Sequence, residues 1–113
     1  MNISQLEEKF SRKNLEKGDT LFKEGDKNGE GYIIEVGELV LYKDNKKNTV
    51  LGAGEVAGVW KVLLDQEERF FTAKANIKTI VFVIPEEYLD CIVKDTDPFL
   101  KHCLKQWLRI TSS

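Results

Sequence analysis

All eight glycines of this 113-residue chain lie between positions 18 and 58. Around and after them run short stretches rich in β-branched and aromatic residues, at 20–22, 32–36, 39–42, 49–51, 70–75 and 79–84. Many short strands separated by regular turn signals predict a sandwich or barrel. Lys43-Asp44-Asn45-Lys46-Lys47-Asn48 reads as a polar hairpin tip. Residues 80–84, Ile-Val-Phe-Val-Ile, are apolar throughout, the pattern of a strand covered on both faces.

Helical patterns flank this β region. Ile3, Leu6 and Phe10 recur at helical spacing, and Ser4 and Glu7 stand at capping-box spacing, so a short helix is expected within residues 1–11. After Pro85, residues 86–93 fit one short helix with the proline in its first turn. Asp97 is placed to cap a second. There Phe99, Leu100, Cys103, Leu104, Trp107 and Leu108 share one face, and Lys101, His102, Lys105, Gln106 and Arg109 the other. That apolar face is expected to pack against the barrel; its other reading is a lid or a dimer contact. The length suits one domain, 1–113, made of an N-terminal helical segment (1–11), a β-roll (12–85) and C-terminal helices (86–113). The expected fold class is mainly β, a jelly-roll-like double-stranded β-helix.

Seventeen Lys and Arg against nineteen Asp and Glu give a net charge of -2, which argues against a nucleic-acid binder. No apolar run approaches the roughly 20 residues of a membrane helix. The first ten residues are acidic and lack the apolar centre of a signal peptide, so a cytoplasmic location is expected. Cys91 and Cys103 have no C-x-x-C partner spacing and read as small buried apolar residues in a reducing compartment. His102 is the single histidine, so a metal centre built on several imidazoles lacks its ligands. Histidine-dependent nucleophilic catalysis would have to use that same residue, which sits on a polar helix face. No Walker-type loop and no G-x-G-x-x-G after a strand is present. The chain reads as non-enzymatic and without a cofactor.

The most informative stretch is Gly54-Glu55-Val56-Ala57-Gly58-Val59-Trp60-Lys61-Val62, followed by Glu68-Arg69-Phe70-Phe71-Thr72-Ala73-Lys74-Ala75. With Gly18-Asp19-Thr20-Leu21-Phe22-Lys23-Glu24-Gly25-Asp26, Gly31-Tyr32-Ile33-Ile34-Glu35-Val36-Gly37-Glu38-Leu39, Leu51-Gly52-Ala53 and Val83-Ile84-Pro85-Glu86-Glu87-Tyr88-Leu89, it resembles the cyclic nucleotide-binding domain family over residues 15–90, in the family's order. The resemblance implies a β-roll that holds cAMP or cGMP. The phosphate would be bound by an arginine and by backbone N–H groups at the start of a short helix. A glutamate in that helix would bond the ribose 2′-hydroxyl.

By motif, Arg69 falls on the phosphate-binding arginine and Gly58 on the cassette glycine, where a missing side chain permits close backbone approach. Trp60, Lys61 and Val62 would form the short helix, and Thr72 and Ala75 the following strand. Val59 stands where the family has its glutamate and cannot accept the ribose bond. Phe70 adds bulk beside the phosphate position, Glu68 replaces the usual proline, and Ala57 the usual aromatic. Arg69 therefore has two readings: it binds an anion, or Asp65, Glu67 or Glu68 satisfies it internally. Lys61 is either an extra cation near the phosphate or an exposed lysine, and Trp60 and Trp107 either cap a base or close the core. The expectation is a regulatory domain with weak or lost cyclic-nucleotide affinity. Its alternatives are an intact sensor for cAMP, cGMP or another anion through Arg69, and a ligand-free contact domain, its pocket filled by Phe70, that meets a protein partner or a second copy through the C-terminal helix.

Overall fold

The computed structural model of the chain describes residues 3–63, 66–95, 97–100, 102–103 and 106. It opens with helix α1 (Ile3–Lys9), followed by strands β1 (Ser11–Leu15), β2 (Thr20–Phe22), β3 (Gly31–Val36), β4 (Leu39–Lys43), β5 (Lys46–Leu51) and β6 (Val56–Ala57). The short helix α2 (Trp60–Leu63) leads to β7 (Thr72–Ala75), β8 (Thr79–Ile84) and helix α3 (Glu86–Asp95). The strands form two antiparallel four-stranded sheets, ordered β1-β8-β3-β6 and β2-β7-β4-β5. This is the mainly β roll expected from the sequence. No helix among the described residues is long and apolar enough to cross a membrane.

The two sheets enclose a core that includes Leu21, Phe22, Tyr32, Ile34, Leu39 and Val81. A second cluster of Leu6, Phe10, Val62, Phe82, Ile84 and Leu89 joins residues of the three helices to β8. Strand β8 is thus covered on both faces. Its side chains alternate: Val81 and Val83 join the core between the sheets, Phe82 and Ile84 the helical cluster. That explains why five consecutive residues there are apolar.

Sequence and structure part company at several points. β1, Ser-Arg-Lys-Asn-Leu, has four exposed residues out of five and exists because it pairs along its whole length with β8. Glu7, at capping-box spacing from Ser4, instead accepts from Arg12 Nη2 at 2.5 Å, while Arg12 Nε donates to Glu35 at 2.6 Å. The hairpin tip is two residues rather than six. Asp44 and Asn45 have φ of 52° and 65°, the left-handed pair that matches strand twist in a tight hairpin. Lys43 and residues 46–48 belong to the strands.

Asp97 Oδ1 accepts from the Phe99 amide at 2.7 Å, as a helix cap should. The described part of the apolar face beyond it, Phe99 and Leu100, does not pack on the barrel as expected. Phe99 and Leu100 are 74% and 53% exposed, because the helical cluster is already closed by α1, α2 and α3. Leu104, Trp107 and Leu108 lie outside the described residues. Cys91 and Cys103, expected to be buried, are free and exposed. Cys91 shares α3 with Leu89, the residue through which that helix is buried, and falls on its outer side.

Gly37 has φ +102°, and a Cβ there would stand 2.4 Å from Thr79 Oγ1 and 2.7 Å from the Lys78 carbonyl. Thr79 is fully buried and accepts from the Glu38 amide at 3.1 Å, so it has no room to yield. Gly18 has φ +90° with nothing within 4 Å of the same position. Chemical denaturation should show Gly18→Ala losing about 1–2 kcal/mol from backbone strain alone. Gly37→Ala should lose clearly more; equal losses would contradict the packing described here.

Candidate functional site

Arg69 is the centre of the site. It is 4% exposed, although Glu67 and Glu68 just before it stand in solvent. The Gly25-Asp26 turn pins its backbone: the Arg69 amide donates to the Asp26 carbonyl at 2.9 Å, and its carbonyl accepts from the Gly25 amide at 3.0 Å. The guanidinium then runs inward, its carbon 4.4 Å from the centre of the Phe22 ring and 6.0 Å from that of Tyr32. Nη1 donates to the Gly58 carbonyl at 2.5 Å, and Nη2 to the Glu30 carbonyl at 2.6 Å and to Asn28 Oδ1 at 3.3 Å. The Nε–H is buried and has no acceptor among the described residues.

The internal ion pair that sequence suggested for Arg69 is therefore not formed with Glu67 or Glu68, and Asp65 lies outside the described residues. The acidic run faces water while Arg69 faces the core, so backbone carbonyls take the place of carboxylates. Ion pairs among the described residues involve Arg12 and Lys43, not Arg69. Burial holds the Arg69 pKa below its usual value, opposed by Tyr32, Asp26, Glu30 and Glu86. Gly58 makes the contact possible. It has φ +76°, and a Cβ there would stand 2.6 Å from Arg69 Nη1.

Beside this guanidinium is a cavity of about 250 Å³, just under the roughly 300 Å³ at which small-molecule sites commonly begin. Its walls are mostly apolar, among them Phe22, Leu41, Leu51 and Phe71. Lys61, Arg69, Asn48 and Thr49 give it polar groups. Of the residues singled out by sequence, Gly58, Lys61, Arg69 and Phe70 meet here. Phe70 is half-buried and forms part of the wall, and the cavity stays open beside it rather than being filled. Lys61 is 9% exposed, not the solvated lysine that a short helix suggested, because α2 turns it inward.

Val59 does not line the cavity. It packs against the helical cluster, its Cγ1 2.8 Å from where a Cβ on Gly31 would stand. Thr72 lies outside the lining too, its Oγ1 accepting from the Glu24 amide at 3.0 Å. Trp60 opens α2, and its side chain is outside the described residues. Sequence reasoning missed the far wall of Leu41, Asn48, Thr49 and Leu51. Asn48 is the extra residue of a β-bulge, since Leu41 pairs with Thr49 and Tyr42 with Lys47. Nothing local marks such a position; Phe71, directly after Phe70, carried the one visible signal. Among the described residues, no group of three or more His, Cys, Asp or Glu is placed to share a metal ion.

Residues 12–96 match the family model described as "Cyclic nucleotide-binding domain". The chain belongs to the cyclic nucleotide-binding domain family. No curated protein matches it in sequence. Among solved structures it resembles the EAL enzyme Bd1971 in its cAMP-bound form, with a TM-score of 0.79 and 24% identity, over 89% of this chain and 28% of that one. It resembles the Thermus thermophilus catabolite activator protein with a TM-score of 0.72 and 24% identity, over 96% of this chain and 53% of that one. It also resembles cAMP-bound PfPKA-R (141-441), with a TM-score of 0.70 and 34% identity, over 84% of this chain and 36% of that one. The chain thus spans about a quarter to a half of the length of these relatives, and the first two likenesses speak for the fold alone. Domains of this family are regulatory rather than catalytic, and the match to the EAL enzyme covers only its binding domain.

Tyr32 stacks on Phe22 with ring centroids 6.0 Å apart, is 2% exposed, and donates to Glu30 Oε1 at 3.1 Å. Burial, reinforced by Glu30, pushes its pKa from 10.0 up to about 12. The folded state holds this proton where the unfolded chain has released it. Tyr32 therefore contributes stability that is present below pH 10 and falls as pH rises through about 12. Unfolding free energies measured between pH 9 and 12 should show a loss of about 2 kcal/mol, which Tyr32→Phe should remove.

Proposed function

We propose that this domain is a non-enzymatic sensor that takes a small anionic ligand in the cavity beside Arg69, and that its affinity for cAMP and cGMP is weak. One observation carries the reading: Arg69 is buried without a carboxylate partner among the described residues, and it lines an open cavity. A buried cation with no counter-charge is costly, and a bound anion supplies that charge. A guanidinium also offers paired donors matched to phosphate or carboxylate oxygens. The helix contributes little: α2 has four residues, so its dipole is small and the side-chain cations have to hold the anion. The cAMP-bound form of the 34% identical PfPKA-R (141-441) favours a nucleotide-sized ligand.

Weak cyclic-nucleotide affinity follows from Val59. It has no acceptor for a ribose hydroxyl, and leaving that group unpaired in a buried site costs about 1–3 kcal/mol, roughly ten- to a hundredfold in affinity. Val59 packs near Phe82, Ile84 and Leu89. A carboxylate placed there would not remain among them and would be drawn toward Lys61 and Arg69. A contact domain working through its C-terminal helix is the second reading, favoured by the exposure of Phe99 and Leu100.

Calorimetric titration with cAMP and cGMP tests the first reading. Wild type should give weak saturable heats, Arg69→Ala none, and Val59→Glu binding ten- to a hundredfold tighter than wild type. Equal heats from wild type and a folded Arg69→Ala would overturn the site.

A further inference from the structure

The cavity holds two buried cations, not one. Lys61 is 9% exposed and Arg69 4%, and both line the same space of about 250 Å³. Among the described residues no carboxylate lines it, and its other polar side chains are the neutral Asn48 and Thr49 on β5. Neither cation takes part in an ion pair among the described residues. The remaining wall is largely aromatic and aliphatic, with Phe22, Phe70 and Phe71 around Arg69. A site of this composition has a charge requirement. In a space of low polarity, each cation left without a counter-charge works against binding. A cyclic phosphodiester carries a single negative charge and can neutralise only one of the two. A phosphomonoester carries about -1.5 to -2 near neutral pH, with a second pKa of about 6.

We infer that this cavity selects a terminal phosphate dianion on a ligand with a flat aromatic base, such as a nucleoside monophosphate, over a cyclic phosphodiester. Lys61 is the residue that sets the preference. Arg69 engages either kind of phosphate, while Lys61 finds a full counter-charge only in the dianion. The inference rests on the anion-site reading above and adds to it the charge state of the ligand.

The test is calorimetric titration of the purified chain with AMP and with cAMP, which share base and sugar and differ in phosphate charge. AMP should bind roughly ten- to a hundredfold more tightly at pH 7.5, the span expected for one further charge-assisted contact. That advantage should shrink as pH falls to about 5.5, through the second phosphate ionisation, while cAMP binding hardly changes. Lys61→Met, which keeps the side-chain length, should weaken AMP far more than cAMP and remove most of the AMP advantage. Tighter binding of cAMP, or a Lys61→Met effect equal on both ligands, would overturn the dianion preference and leave the anion site standing. No heat from either ligand would overturn both.

Discussion

The contacts of one guanidinium hold the cavity side of this domain together. Arg69 reaches the Gly58 carbonyl just before α2, and Asn28 and the Glu30 carbonyl just before β3, from a backbone fixed at the Gly25-Asp26 turn. These segments are far apart in sequence and share few strand pairings. The charge that joins them is buried over Phe22, uses carbonyls in place of carboxylates, and keeps one donor unanswered. An arrangement of this kind is stable enough to fold and leaves a positive charge that a ligand can still satisfy.

The sheets explain why that charge can sit beside an open space. The sheet β1-β8-β3-β6 is covered on both faces, by the other sheet and by the helices, with Phe82 and Val81 completely buried on opposite sides of β8. The sheet β2-β7-β4-β5 has cover on one face only, and its outer strand β5 is mostly exposed. The cavity forms on this less protected side, where the bulge at Asn48 interrupts the pairing of β4 with β5.

Much of this was legible in the sequence because local patterns and tertiary demands agreed. The apolar run at 80–84 is readable as a doubly covered strand, and the Gly58 and Arg69 motif led to two residues that meet in space. Legibility failed where the cause was distant. β1 is a polar segment made into a strand by β8, and β6 is two residues paired with β3. Two of the three partners of Arg69 lie 39 and 41 residues away, just before β3, so sequence offered the nearby acidic residues Asp65, Glu67 and Glu68 instead. The burial of Lys61 is set by how α2 lies over the barrel, which a four-residue helix does not announce. The face carrying Phe99 and Leu100 shows the converse: helical spacing identifies an apolar face but not whether anything covers it.

The Nε–H of Arg69 is the most direct witness to the account. Its side-chain signal in a ¹H–¹⁵N correlation spectrum, assigned by its loss in Arg69→Lys, can be followed while AMP or cAMP is added. The account predicts a protected Nε–H in the free protein that shifts markedly as the guanidinium takes up its anion. A signal that stays in place while the ligand demonstrably binds would mean that Arg69 is structural and that the anion site lies elsewhere.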